Sequence, residues 1–149
     1  MDFDYKFLSV VKSILDLTRP RNMVLAFIGV VTGGVLHNPE AFNIWALTIS
    51  AASASFILAG GNSLNDYFDI EIDKVNKPER PIPSGRLGRS DVLMLSIVFM
   101  LTGLALSKLI NNLTLGIALL NSIVLVLYAV FSKRLFYISN LTVSYLVGS

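Results

Sequence analysis

Residues 60–86 read GGNSLNDYFDIEIDKVNKPERPIPSGR. Asn65, Asp69 and Asp73 stand at i, i+4 and i+8, the spacing that stacks side chains on one face of a helix. At about 100° per residue the set drifts only about 80° from first to last. Asn62 and Asp66 fall in the same sector, and Glu71 points to the opposite side. One helix face therefore carries two amides and three carboxylates. A short loop rich in Lys, Arg and Pro follows directly.

The run that leads into this face gives it its meaning. From Ala41 to Asn65 there is no charged side chain. A run of about 20 apolar residues is enough to span a bilayer core, so the spacing and composition predict one long helix from Ala41 to about Asp73. Its acidic end continues toward one membrane surface, with Asn65 deepest and Asp73 about 12 Å nearer the water at 1.5 Å per residue. A carboxylate at bilayer depth costs about 2.5–3.5 kcal/mol on insertion scales, and less near the interface. Three on one face need a compensating partner.

The remaining chain is of the same kind. Of 149 residues, 54% are hydrophobic and 15% charged, a balance typical of membrane proteins, and the absence of cysteine excludes disulfides and thiolate metal sites. The fold class expected is all-α: a multi-pass bundle of about four complete transmembrane helices and the start of a fifth, behind an N-terminal amphipathic helix. Phe3–Leu17 alternates apolar and polar residues at helical spacing and suits an interfacial helix closed by Arg19-Pro20-Arg21. It lacks the apolar core of a cleavable signal. Asn22–Leu36 is the first expected span, Val92–Ser107 the third helix and Leu109–Ser132 the fourth. Val75–Arg89 is a loop with three prolines, and Leu135 opens a fifth apolar segment. Residues 1–21 thus form the interfacial helix and 22–149 the bundle of a single domain. Gly29, Gly33 and Gly34 are expected to permit close helix packing, and Gly60-Gly61 to do the same or to loosen the helix. Trp45 reads as an interfacial anchor.

With these spans, Lys6, Lys12, Arg19, Arg21, Lys74, Lys77, Arg80, Arg86, Arg89, Lys133 and Arg134 fall on one side and only Lys108 on the other. The positive-inside rule places the N-terminus and the acidic face at the cytoplasmic surface of a cell membrane. Nothing here points to a nucleic-acid partner.

Carboxylates and amides are hard oxygen ligands suited to Mg²⁺, which typically takes one or two carboxylates together with substrate phosphates. Lys77, Arg80 and Arg86 lie beside the stripe, and arginine suits bidentate phosphate contact. Metal and basic loop together reverse the sign that the carboxylates alone would present. An apolar bundle below such a head-group site accepts a long hydrocarbon tail. The combination reads as a site for a lipid diphosphate, with metal-assisted loss of diphosphate as its reaction. A cation-binding half of a transporter is the competing class. Transporter sites, however, usually sit near the midplane in broken helices rather than at a helix end among phosphate-type bases. A non-catalytic assembly piece would leave the stripe unexplained.

NDYFDIEID followed by NKPERPIPSGR resembles the first aspartate-rich motif of the intramembrane prenyltransferases of the UbiA superfamily, of the form N-x-x-x-D-x-x-x-D. The resemblance spans the chain: an R-P-x-N entry to the first span (Arg19, Pro20, Asn22), the R-P-x-P-S-G loop, and Lys133-Arg134 with Asn140-Leu141 at the fifth helix. Within the superfamily the motif is most similar to the archaeal branch that builds membrane ether lipids. That implies geranylgeranyl diphosphate as donor and the lipid-like geranylgeranylglyceryl phosphate as acceptor. Chlorophyll synthases and quinone-type prenyltransferases are the alternatives within the superfamily. By resemblance Asn65, Asp69 and Asp73 hold Mg²⁺ and through it the diphosphate, with Asp66 assisting. Lys77, Arg80 and Arg86 hold phosphate groups, Asn22 lies at the site's mouth, and Tyr128 is a candidate aromatic wall for the allylic cation. The family also carries a second aspartate-rich motif between its sixth and seventh helices. No acidic residue follows Asp91, so residues 1–149 alone are expected to be inactive.

Overall fold

The structure, a computed structural model, describes residues 2–37 and 43–131, with side chains from Phe7 onward. These residues form six helices and no strand: α1 (Asp2–Thr18), α2 (Pro20–His37), α3 (Ile44–Phe68), α4 (Ile70–Asn76), α5 (Arg89–Lys108) and α6 (Asn112–Phe131). The expected Lys133-Arg134 and Asn140-Leu141 signals lie outside the described residues, as does the fifth segment.

Helix α3 is the axis of the bundle, with α1, α2, α5 and α6 all packed against it. It starts where Asn43 Oδ1 accepts from the backbone N–H groups of Trp45 and Ala46 at 3.0 and 3.2 Å, an ordinary N-cap. Helices α3, α5 and α6 are each long and apolar enough to cross a membrane. The expected first span, α2, has 18 residues, but Pro20-Arg21-Asn22 and His37 sit at its ends and lower its hydropathy. It nevertheless packs along α3. Gly34 lies against Leu47, and Ser55 Oγ donates to Met23 O at 3.0 Å. The two helices are therefore antiparallel, with Arg21 and the acidic end of α3 on the same side.

Close packing between α3 and α5 rests on two reciprocal serine–glycine contacts. Ser53 Oγ donates to Gly103 O at 2.7 Å, and Ser96 Oγ donates to Gly60 O at 2.8 Å. A Cβ built on Gly60 would lie 2.9 Å from Ser96 O, and one on Gly103 would lie 2.8 Å from Ser53 O. The backbones approach because these positions lack a side chain, and each serine hydroxyl is satisfied across the gap. Gly61 admits Leu125 of α6 in the same way, with a Cβ there 3.1 Å from the leucine's Cδ atoms. The expectation for Gly29 and Gly33 is not met: nothing stands within 4 Å of a Cβ at either. The close approaches on α3 lie at Gly60-Gly61, where α5 and α6 both have to come in.

The long second helix departs from expectation at one residue. Asp69, with φ −88° and ψ 7°, separates α3 from α4. The hydrogen-bond ladder survives the break: Asp69 N donates to Asn65 O at 2.9 Å and Asp73 N to Asp69 O at 2.8 Å. The result is a bend in a continuing spiral. Asp73, on the short helix beyond it, is buried.

Gly60→Ala and Gly103→Ala should each destabilise the protein by about 1–3 kcal/mol, since backbone oxygen has to retreat. Gly29→Ala should be neutral or stabilising by up to about 1 kcal/mol through helix propensity. Chemical unfolding of the three variants in one detergent checks the contrast.

Candidate functional site at the acidic end of α3

Three chain segments meet where α3 gives way to α4. The first is the corner between α1 and α2. Pro20 opens α2, and the residue before a proline is disfavoured in the helical region. Arg19 takes a left-handed conformation, φ 55°, which turns the chain sharply and aims its side chain at α3. Arg19 Nη2 donates to Asp66 Oδ1 at 2.7 Å. Beside it, Asn62 Nδ2 donates to the carbonyl of Thr18 at 3.1 Å. Two polar residues of the predicted stripe are thus spent on pinning the α1–α2 corner.

The second segment is the loop after α4. It is a chain of tight turns, with Arg80 N bonded to Lys77 O, Ser84 N to Arg80 O and Gly85 N to Ile82 O. Gly85 takes the left-handed φ of 73° that such a turn needs. Pro81 is fully buried. This fold carries Arg80 back under α3. Its Nη1 donates to Asp66 Oδ1 at 3.0 Å and to Asp73 Oδ2 at 2.5 Å. Asp66 and Asp73 are 4% and 5% exposed. Two buried carboxylates seven positions apart therefore share one guanidinium.

The third segment is the end of α1. Arg86 Nη1 donates to Asp16 Oδ2 at 2.8 Å, its Nη2 to the Glu79 carbonyl at 2.6 Å and its Nε to Ser84 Oγ at 3.1 Å. Arg86 therefore braces the loop and ties it to α1. Ser13 and Leu17 of α1 are buried, while Phe7, Leu8, Val10, Val11 and Leu15 face outward, as an interfacial helix requires.

The remaining predicted residues fall into place around this core. Asn65 Nδ2 donates to Asp69 Oδ2 at 2.6 Å, and both are half-buried. Lys77 caps α4 and is exposed. Glu71 lies on the outer side, as its position predicts. The hydrogen bond from Lys74 Nζ at 2.8 Å holds its carboxyl below the usual carboxylate range. Asn22 is exposed on the first turn of α2, in a shallow hollow of about 290 Å³ shared with Asp16 and Arg19. Tyr128 is half-buried on α6. It lies one turn beyond Leu125, which meets Gly61, so it stands level with the start of the acidic stripe.

The expected metal ligands Asn65, Asp69 and Asp73 are grouped differently from the prediction. Asn65 pairs with Asp69, and Asp73 pairs with Asp66 through Arg80. Among the described residues no three acidic or histidine side chains gather as a metal cage. Asp73 lies beyond the interruption at Asp69, on α4, and is bonded by Arg80 of the loop. The donor set still fits Mg²⁺. The two carboxylates already hold a cation between them, the Arg80 guanidinium, and one or two carboxylates is the protein's usual share of a Mg²⁺ site that substrate phosphates complete. Arg19 was missed as a site residue. Its signal was the Arg-Pro pair at a helix start, which forces a corner, and a buried acid within reach.

The profile of the UbiA prenyltransferase family matches residues 26–149. The chain is 41% identical over 138 residues to the digeranylgeranylglyceryl phosphate synthase of Methanopyrus kandleri, covering 93% of this chain and 50% of that one. It is 44% identical over 146 residues to the enzyme of the same name from Methanococcoides burtonii, covering 93% and 52%. A solved structure described as digeranylgeranylglyceryl phosphate synthase in membranes superposes with a TM-score of 0.88 at 37% identity, over 93% of this chain and 50% of that one. The chain spans about half the length of the curated relatives it matches.

Asp66→Asn should cost on the order of 3 kcal/mol, because it leaves two guanidinium groups facing a neutral amide in a buried setting. Asp16→Asn removes only a part-exposed pair and should cost under about 1 kcal/mol. Denaturant midpoints of the purified variants measure the difference.

Proposed function

This chain belongs to the UbiA prenyltransferase family, and we propose that it supplies the first aspartate-rich site of a Mg²⁺-dependent enzyme. That enzyme transfers a geranylgeranyl group from its diphosphate to geranylgeranylglyceryl phosphate in archaeal ether-lipid synthesis. The observation that carries the reading is the cation-centred cluster of Asp66, Asp73 and Arg80 at the end of a membrane-length helix, with Asn65–Asp69 alongside. The same donor and acceptor classes follow from the relatives, which bear the name digeranylgeranylglyceryl phosphate synthase. The Lys and Arg residues of α2–α5 other than Lys108 gather at this end, which on the positive-inside rule would face the cytoplasm.

Asp69, Asp73 and Asn65, with Asp66, are the groups that would hold Mg²⁺. When bound, the metal neutralises charge on the departing diphosphate oxygens. The side chains of the cluster do the rest. Arg80 reaches the carboxylates from a turn-locked loop. With Mg²⁺ held by the carboxylates, the Arg80 guanidinium would be available to bond phosphate. Lys77, exposed at the loop's start, adds a point charge beside it. Arg86 acts mainly by bracing that loop against Asp16 and Glu79 O. Arg19 keeps Asp66 oriented. Tyr128, level with the stripe, offers a ring face to a developing allylic cation. A carboxylate of the stripe would accept the proton of the acceptor's hydroxyl.

Asp73→Ala in the full-length protein, assayed with geranylgeranyl diphosphate and geranylgeranylglyceryl phosphate, should lower diphosphate release by on the order of 100-fold or more with membrane insertion unchanged. Undiminished turnover would overturn the reading. Arg80→Gln separates the two roles of Arg80 by sign. Binding of Mg²⁺ alone should tighten, because a competing cation is gone. Binding of diphosphate with Mg²⁺ should weaken by about tenfold or more, since a charged hydrogen bond is worth about 1.5–3 kcal/mol. Titration calorimetry with each ligand set reads both.

A further inference from the structure

A second place on the chain has the chemistry of a ligand site and takes no part in the cluster above. The serine–glycine contacts set α3 and α5 antiparallel in a fixed register, Ser53 with Gly103 and Gly60 with Ser96. The same register brings Tyr67 to Arg89, whose guanidinium carbon sits 4.4 Å over the ring centroid. Tyr67 points away from the acidic stripe. A hollow of about 430 Å³ opens there, with Tyr67, Arg89 and Ser90 at its head and Leu93, Ile97 and Val98 along its length. Leu93 to Val98 is one face of α5 at helical spacing, and Ile97 and Val98 are half exposed.

The charges around Arg89 leave it available. The Glu71 carboxylate, close enough to feel Arg89, is held by Lys74 Nζ at 2.8 Å. Asp91 turns back to accept from Gly88 N–H at 3.1 Å. Among the described residues Arg89 has no ion pair, only the ring beneath it. Stacking on tyrosine fixes the plane of the guanidinium and reduces what it loses on binding a further group. The hollow is therefore cationic at the end of α5 where the chain's bases gather. It is apolar for about 12 Å below, from Ser90 to Val98.

We propose that this outer groove of α3 and α5 binds one anionic membrane lipid, its phosphate on Arg89 and Ser90 and its hydrocarbon chain along Leu93, Ile97 and Val98. Charge complementarity selects the occupant. A zwitterionic lipid would satisfy the apolar length but bring a phosphate already neutralised by its own ammonium, and so gain less from the guanidinium. A free phosphate would satisfy the head but leave the apolar length unfilled. The proposal does not depend on the transferase reading.

The test uses the full-length protein in phosphatidylcholine nanodiscs carrying a trace of lipid with a diazirine in its tail. The head group is phosphatidylglycerol in one set and phosphatidylcholine in the other. Peptide mapping after illumination should place the anionic probe on α5 between Leu93 and Val98. Arg89→Gln should reduce that labelling by about fivefold, the order expected for one basic residue near an anionic head group. Labelling by the phosphatidylcholine probe should be unchanged, and Arg89→Lys should retain most of the anionic preference. Millimolar inorganic phosphate should not displace the probe. Equal labelling by both probes, or labelling indifferent to Arg89→Gln, would mean ordinary lipid solvation and overturn the proposal. Absence of α5 labelling by either probe would mean that protein covers this face, and would overturn it equally.

Discussion

Everything at the working end of this protein follows from the need to neutralise acids at the end of an apolar helix. Asp66 is 4% exposed and belongs to the same helix that crosses the bundle. An isolated carboxylate in that position would be costly. The fold answers with two guanidinium groups from opposite directions, Arg19 from the α1–α2 corner and Arg80 from the loop after α4. Each has to be carried there by an unusual piece of backbone. Arg19 adopts a left-handed conformation that a non-glycine residue holds only when its surroundings require it. Arg80 rides on a succession of tight turns closed by Gly85. The corner and the loop are thus shaped by the charge they deliver.

The same logic explains why the bundle is assembled as it is. Helix α3 has to be surrounded closely enough that its acidic end is enclosed. Gly60 and Gly103 allow the neighbouring backbones in, Gly61 admits the Leu125 side chain, and Ser53 and Ser96 fasten α3 to α5 with hydrogen bonds that need no water. In lipid, small residues and hydroxyls are what hold helices together, because burying leucine against leucine gains little over leucine against a lipid tail. The packed stretch of α3 therefore contains little that is bulky. Large apolar side chains are left to the outer surfaces of α5 and α6, such as Met94, Leu101 and Leu120.

Much of this was legible in the sequence. The uncharged run ahead of Asn65, the i, i+4, i+8 stripe and the clustering of bases at one end foretell the helices, their order and the end where the acidic cluster lies. These are properties of period and polarity, which a single sequence displays. What it did not display depends on three-dimensional partners. Asp66 was read as an accessory group. It is instead bonded from two directions, by partners 47 positions before it and 14 after it. Asn62 shared the stripe's phase, yet bonds Thr18 O and so belongs to the scaffold. Arg86 read as a phosphate ligand, and its three kinds of bond show a brace. Spacing tells which side chains share a face. It does not tell which of them the rest of the chain has already claimed.

That distinction bears on how such a site can hold a metal at all. Carboxylates strong enough to grip Mg²⁺ repel one another when it is absent, and the end of an apolar helix offers little water to screen them. A resident guanidinium resolves the conflict, provided it can leave. Arg80 suits this better than Arg19. It hangs from a loop by its backbone, and among the described residues its side chain is bonded by the two carboxylates. Arg19 is fixed at both ends, by the corner it forms and by Asp66. One arginine is then a permanent part of the cluster's wall, and on the proposed reading the other would be a counter-ion that keeps the acids together until a divalent cation and a phosphate arrive. A cluster that needs a cation in every state does not have to choose between being stable when empty and being able to bind when filled.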